Sequence, residues 1–81
     1  MLELYQFESC PYCRWVREKL SELEVDYLCR NVQIGTAKWK EFSALNPNEQ
    51  VPFLVDPERG VSMEESAEIV KYLERVYGKN R

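Results

Sequence analysis

The sequence predicts a small α/β domain of order βαβ–α–ββα, a four-stranded mixed sheet flanked by three helices. Three observations lead there. Residues 2–7 alternate apolar and polar, the period of a strand. Residues 11–24 and 65–77 carry apolar stripes at helical spacing. Two turn-forming clusters, Asn46-Pro47-Asn48 and Asp56-Pro57-Glu58-Arg59-Gly60, cut the region between into short elements.

Eighty-one residues make one domain. Hydrophobic residues at 44% against 31% charged give a globular balance rather than a disordered one. Eleven basic and fourteen acidic residues leave a net charge of -3 with no basic block, which excludes a nucleic-acid footprint. No apolar run approaches the roughly 20 residues of a membrane span. Met1 leads straight into a strand pattern, so no signal peptide is expected. Three cysteines, an odd number, argue against a stapled secreted scaffold. A reducing cytoplasm and a monomer are the expectations.

In chain order, the first strand ends at Glu8 and Ser9. The first helix, 11–24, carries Cys13, Val16, Leu20 and Leu23 on one stripe, with Trp15 off it. Residues 25–32 read as a second strand with Val25, Tyr27 and Cys29 on one face and Leu28 on the other. Cys29 is expected to be a buried, inert small hydrophobe. An intervening helix makes the first two strands parallel. Thr36 suits the N-cap of a short helix over 37–45, whose apolar side is Trp39, Phe42 and Leu45. Pro52 stands at the entrance of a third strand, where proline is tolerated. Residues 61–63 complete a hairpin. The last helix buries Ile69, Val70, Leu73, Val76 and Tyr77 and ends on Gly78, leaving a polar, frayed tail, Lys79-Asn80-Arg81.

The chemistry lies in Cys10-Pro11-Tyr12-Cys13, between the first strand and the first helix. Two cysteines three positions apart suit either a metal or redox work. A zinc half-site needs more ligands than a chain with no histidine and one further cysteine supplies. A purely structural disulfide over so short a loop gains little. Strand, motif and helix in this order point to thiol redox chemistry. Pro11 suits the first helical turn. Cys10 just before it meets unpaired amides and the positive end of the helix dipole, which should lower its pKa and favour the reactive thiolate. Cys13, one turn on, can close a disulfide with Cys10 and release what Cys10 has captured.

Two later stretches can complete a pocket. Val51-Pro52 offers a strand edge to a peptide-like ligand, and a cis bond there would turn the backbone toward the cysteines; an ordinary trans proline opening a strand is the commoner case. Glu65-Ser66, with Glu64 before it, opens the last helix. Its amides and hydroxyl can hold a carboxylate, or the residues simply cap the helix.

Cys10-Pro11-Tyr12-Cys13, Val51-Pro52 about forty residues on, and Glu65-Ser66 followed by Ile69-Val70 and Tyr72-Leu73 together resemble a glutaredoxin. More narrowly, nearly the whole chain resembles the N-terminal domain of glutaredoxins built like glutathione S-transferases. The resemblance implies a thioredoxin-like fold, a cis Pro52 and glutathione as co-substrate. It implies Cys10 as nucleophile and Cys13 as resolving thiol. Pro11 and Tyr12 lie beside the glutathione, Val51 pairs its backbone with the cysteinyl part, and Glu65 and Ser66 hold the γ-glutamyl end. The partners implied are glutathionylated or disulfide-containing proteins. Such glutaredoxins usually carry a lysine shortly before the motif; here Gln6, Phe7 and Glu8 stand there, and Glu8 would oppose a Cys10 thiolate. Arg14 is the nearest compensating cation in sequence, and Lys38 or Lys40 can reach a glycyl carboxylate. Transferase-like relatives continue into an all-helical second domain, so this chain is a free-standing domain or part of a longer protein. Two other activities fit the same residues: a glutathione-binding transferase-like module that does not turn over its thiol, and an iron–sulfur carrier bridging a dimer.

Overall fold

The sheet is built around its first strand. In β1 (Leu2–Gln6), Leu2, Leu4 and Gln6 are buried on one face, as the alternation requires. The computed structural model describes residues 1–78. After β1 follow α1 (Pro11–Glu22), β2 (Tyr27–Asn31), α2 (Ala37–Leu45), β3 (Phe53–Asp56), β4 (Val61–Glu64) and α3 (Ser66–Tyr77). The strand order is β2-β1-β3-β4. β1 and β2 are parallel, and the β1–β3 and β3–β4 pairs are antiparallel, with Leu4 opposite Cys29 on one side and Leu54 on the other. This is the thioredoxin-like architecture, with the element order that the sequence predicts.

Helices α1 and α3 cover the face carrying Leu2 and Leu4. Val16 and Leu20 from α1 and Ile69, Val70 and Leu73 from α3 close over Leu54 to form the core. The opposite face is held by aromatic rings. Tyr5 stacks on Phe42 of α2 with centroids 5.4 Å apart, and Phe53 packs edge-on to both. Thr36 caps α2 as predicted, its Oγ1 accepting the Trp39 N–H at 3.2 Å. Helix α2 therefore sits over the upper strand ends by a few ring contacts, and Leu45, expected inside, is exposed.

The second strand departs most from expectation. It is shorter than 25–32 and lies at the sheet edge, with none of its residues fully buried. Cys29 is consequently exposed rather than buried. Its Sγ accepts a hydrogen bond from Gln6 Nε2 at 3.3 Å instead of packing among hydrophobes.

Asp56 also differs from its reading as a turn residue. It ends β3, is 1% exposed, and accepts hydrogen bonds from the hydroxyls of Tyr72 (2.6 Å) and Tyr77 (2.9 Å) and from Arg59 (3.3 Å). Tyr72, outside the predicted stripe of α3, is buried to reach it. Gly78 is the C-cap of α3 in right-handed geometry, so it needs no positive φ; a Cβ there would collide with the Glu74 carbonyl. The predicted tail, Lys79-Asn80-Arg81, lies outside the described residues.

Candidate functional site

Cys10 is the N-cap of α1, with Pro11 at the helix start. Its backbone N–H donates to the Phe7 carbonyl at 3.2 Å, and its Sγ accepts the Cys13 N–H, also at 3.2 Å. The sulfur thus takes the place of a capping oxygen and meets one of the amides left free in the first turn. Cys13, one turn on, is fully buried. Burial and a side-chain hydrogen bond with Cys10 push its thiol up to about 12, while the Phe7 backbone and the Arg17 guanidinium pull the other way. The motif therefore holds two unlike thiols: one at a helix N-terminus, the other kept protonated by its enclosure. All three cysteines are unpaired.

Glu8 faces Arg17 rather than Arg14. The Arg17 guanidinium lies 3.8 Å from the Glu8 carboxylate, whereas Arg14 is turned to Glu18 at 3.0 Å. The compensating cation is thus one turn further along α1 than the sequence suggested.

Beside the motif lies a cleft of about 220 Å³ lined by Tyr12, Gln50, Val51, Pro52, Glu65 and Ser66. Five of the six are residues that the sequence singled out. Pro11, also singled out, sits at the helix start outside this lining. Tyr12 is 63% exposed, an uncovered ring on one wall. The Val51–Pro52 bond is cis. The loop before it is pinned from below: buried Asn46 donates through Nδ2 to the Gln50 carbonyl (3.2 Å) and to Glu64 Oε2 (2.9 Å), and Asn48 donates to Glu64 Oε1 (3.0 Å). The carboxylate at the end of β4 therefore ties the α2–β3 loop to the start of α3.

Glu65 is the N-cap of α3, but its side chain makes no capping bond. Its Oε1 instead accepts from Gln50 Nε2 at 2.9 Å, across the cleft. Its φ of 76° lies in the left-handed region. The capping alternative fails for Glu65, and the carboxylate is aimed at the cleft. The N-terminal amides of α3 and the Ser66 hydroxyl provide for an anion, and Glu65 provides for a cation. A ligand carrying an ammonium next to a carboxylate matches that end.

Gln50 escaped the sequence reading, and Glu64, grouped there with Glu65-Ser66, ties the loop below the cleft instead of lining it. Gln50 is the polar neighbour of Val51-Pro52, which was the available signal. Lys38, expected near the ligand, lines a separate hollow with Tyr5, Arg30 and Phe42; Lys40 is not among the residues lining the cleft. Among the described residues, no group of three or more His, Cys, Asp or Glu converges on a metal position, and no helix is long and apolar enough to cross a membrane.

Comparison with known proteins agrees with this geometry. The family model described as the glutathione S-transferase N-terminal domain matches residues 4–81. Glutathione S-transferase GstB of Escherichia coli K12 is 39% identical over 83 residues, covering 100% of this chain and 40% of that protein. Glutathione S-transferase-like protein OpS6 of Beauveria bassiana is 30% identical over 79 residues, covering 98% of this chain and 36% of that protein. Among solved structures, Drosophila melanogaster glutathione S-transferase isozyme E7 superposes with a TM-score of 0.84 at 36% identity, over 98% of this chain and 36% of that one. The chain thus spans about 40% or less of the curated relatives named here. A model match over nearly every residue, on a sheet and cleft of this form, shows that the chain belongs to the glutathione S-transferase N-terminal domain family.

Proposed function

We propose that this domain is a glutathione-dependent thiol–disulfide oxidoreductase of the glutaredoxin type, which reduces protein and low-molecular-weight mixed disulfides. The observation that carries the reading is the pair of unlike thiols beside the cleft. Cys10 Sγ takes an amide hydrogen bond at the mouth of α1, and buried Cys13 holds its proton up to about 12. A transferase that only activated bound glutathione would have no use for the second sulfur.

In the mechanism, the Cys10 thiolate attacks the glutathione sulfur of a glutathionylated protein. The protein thiol leaves and takes up a proton, and Cys10 is left joined to glutathione. A second glutathione thiolate, or Cys13, then releases the first. The cleft selects glutathione by its γ-glutamyl end: Ser66 and the α3 amides hold the α-carboxylate, and Glu65 faces the ammonium. Val51 pairs its backbone with the cysteinyl residue, and Tyr12 covers it. A cytoplasmic location suits three unpaired thiols.

The test is reduction of a glutathionylated peptide, with and without glutathione, by the wild type and both cysteine variants. Cys10→Ser is expected to abolish it, and Cys13→Ser to retain much of it. A dead Cys13→Ser with an active Cys10→Ser overturns the assigned roles. The named relatives are transferases, which favours a second reading, glutathione conjugation. Conjugation that survives Cys10→Ala establishes that reading instead.

A further inference from the structure

Arg17 is a half-buried cation that the mechanism above does not use. It lies four residues after Cys13, so the two side chains share a face of α1, and a helical side chain leans toward the N-terminus. The guanidinium accordingly reaches back along α1 to the end of β1 and the loop before Cys10. Nη1 donates to Oε1 of fully buried Gln6 at the end of β1, and Nη2 reaches the Glu8 carbonyl at 3.5 Å in the loop that presents Cys10. Gln6 is fixed in turn by donating to Asn31 Oδ1 at 2.7 Å and to Cys29 Sγ. The Arg17 side chain is 19% exposed, so little solvent screens it. Among the described residues, the carboxylate paired with it is Glu8, at 3.8 Å and 86% exposed, a weak and wet contact. A cation is therefore held by Gln6 and the Glu8 carbonyl on the side of the helix that carries the resolving sulfur.

Resting on the redox reading, we propose that Arg17 is the positioning residue of the resolving step, stabilising Cys13 as a thiolate when it attacks the mixed disulfide at Cys10. In that step the Cys13 thiol first gives its proton to solvent. Its sulfur attacks Cys10 Sγ, the Cys10–Cys13 bond forms, the bond to glutathione breaks, and glutathione leaves as a thiolate that takes up a proton. Two electrons pass from Cys13 to the departing sulfur, and no further oxidant is needed. Burial opposes the first event, since a thiolate at Cys13 is costly in an apolar enclosure. Arg17 is the charge that opposes it, pulling the Cys13 pKa down behind the larger pull of the Phe7 backbone hydrogen bond.

The size of the effect follows from competing trends. A tenfold loss of thiolate, for one unit of pKa, is partly offset by the greater nucleophilicity of a more basic sulfur, leaving about a threefold slowing.

The experiment starts from protein glutathionylated at Cys10 and follows release of glutathione in a single turnover, without added thiol. Arg17→Gln is expected to release it about threefold more slowly than wild type, and Arg17→Lys within about 1.5-fold. The intermolecular reaction of the same mixed disulfide with free glutathione is measured alongside and should slow less. Glu8→Gln, which removes the competing carboxylate, should not slow release. Equal release from Arg17→Gln and wild type overturns the proposal, as does equal slowing by Lys and Gln, which marks a role in packing rather than charge. Should Arg17→Gln fail to fold, Arg17→Lys and Glu8→Gln decide: slowing by either refutes it. A wild type that never releases glutathione unaided is a failure of the redox reading, and is told apart by that control.

Discussion

Replacing Tyr72 by phenylalanine removes one hydroxyl and nothing else from the buried end of β3. That hydroxyl donates to Asp56 Oδ2 at 2.6 Å, between two enclosed side chains. A hydrogen bond to a charged group contributes about 1.5–3 kcal/mol. The acidity of Tyr72 moves in the direction this bond requires: burial first, then the hydrogen bond to Asp56, push it from 10.0 up to about 12. Because the folded value lies above the unfolded one, this contribution is complete below about pH 10 and is lost as pH rises toward 12. Asp56 has the opposite sign. Burial raises its pKa, but the hydrogen bonds from Tyr72 and Tyr77 and the charge of Arg59 outweigh burial and hold it below 3.8. Its contribution is present above about pH 4 and is lost as pH falls through the folded value. Urea unfolding at 25 °C, followed by circular dichroism, is the assay. Tyr72→Phe should be less stable by about 2 kcal/mol at pH 7, and the gap should narrow between pH 10 and 12. A difference below about 0.5 kcal/mol at pH 7, or a gap unchanged at pH 12, refutes the reasoning.

Glu64→Ala takes one of the two acceptors of buried Asn46 Nδ2 and the side-chain acceptor of Asn48; a buried N–H left unpaired costs about 1–3 kcal/mol, and calorimetry should find weaker glutathione uptake as the loop before Pro52 loosens. Unchanged stability and binding would show the tie to be idle. In the binding mode proposed above, Ser66→Ala removes a donor to the γ-glutamyl carboxylate, so affinity for glutathione should fall about ten- to hundredfold; a change below twofold places the carboxylate elsewhere. In a Cys10→Ser, Cys13→Ser protein, Cys29 should react with a chromogenic disulfide without denaturant, and a thiol reached only after unfolding contradicts its exposed position.

What could be read from the chain follows from which forces leave a periodic trace. The stripe Val16–Leu20 and the alternation Leu2–Leu4 record burial on one face, so β1, α1 and α3 were legible to within a few residues. The cysteine pair was legible because strand, proline and helix fix its setting. Alternation says nothing about whether a helix covers the strand, and this is why Cys29 was misjudged. Asp56, Asn46 and Gln50 are polar residues near prolines and a glycine. Such residues look alike whether they meet water or complete a buried network. Pro52 was ambiguous by itself, and only the resemblance supplied its isomer. Arg17 carries no mark in the sequence that sets it apart from the other charges of α1, and its bond to buried Gln6 belongs to the fold.

Glu65 carries a last consequence. At a φ of 76° a glycine would rest more comfortably than any residue with a Cβ. Putting one there relieves a conformational cost of about 1–3 kcal/mol, yet deletes the carboxylate that spans to Gln50. Robustness and ligand capture therefore pull in opposite directions at this position. A hardier domain is one substitution away, and it would be an emptier one.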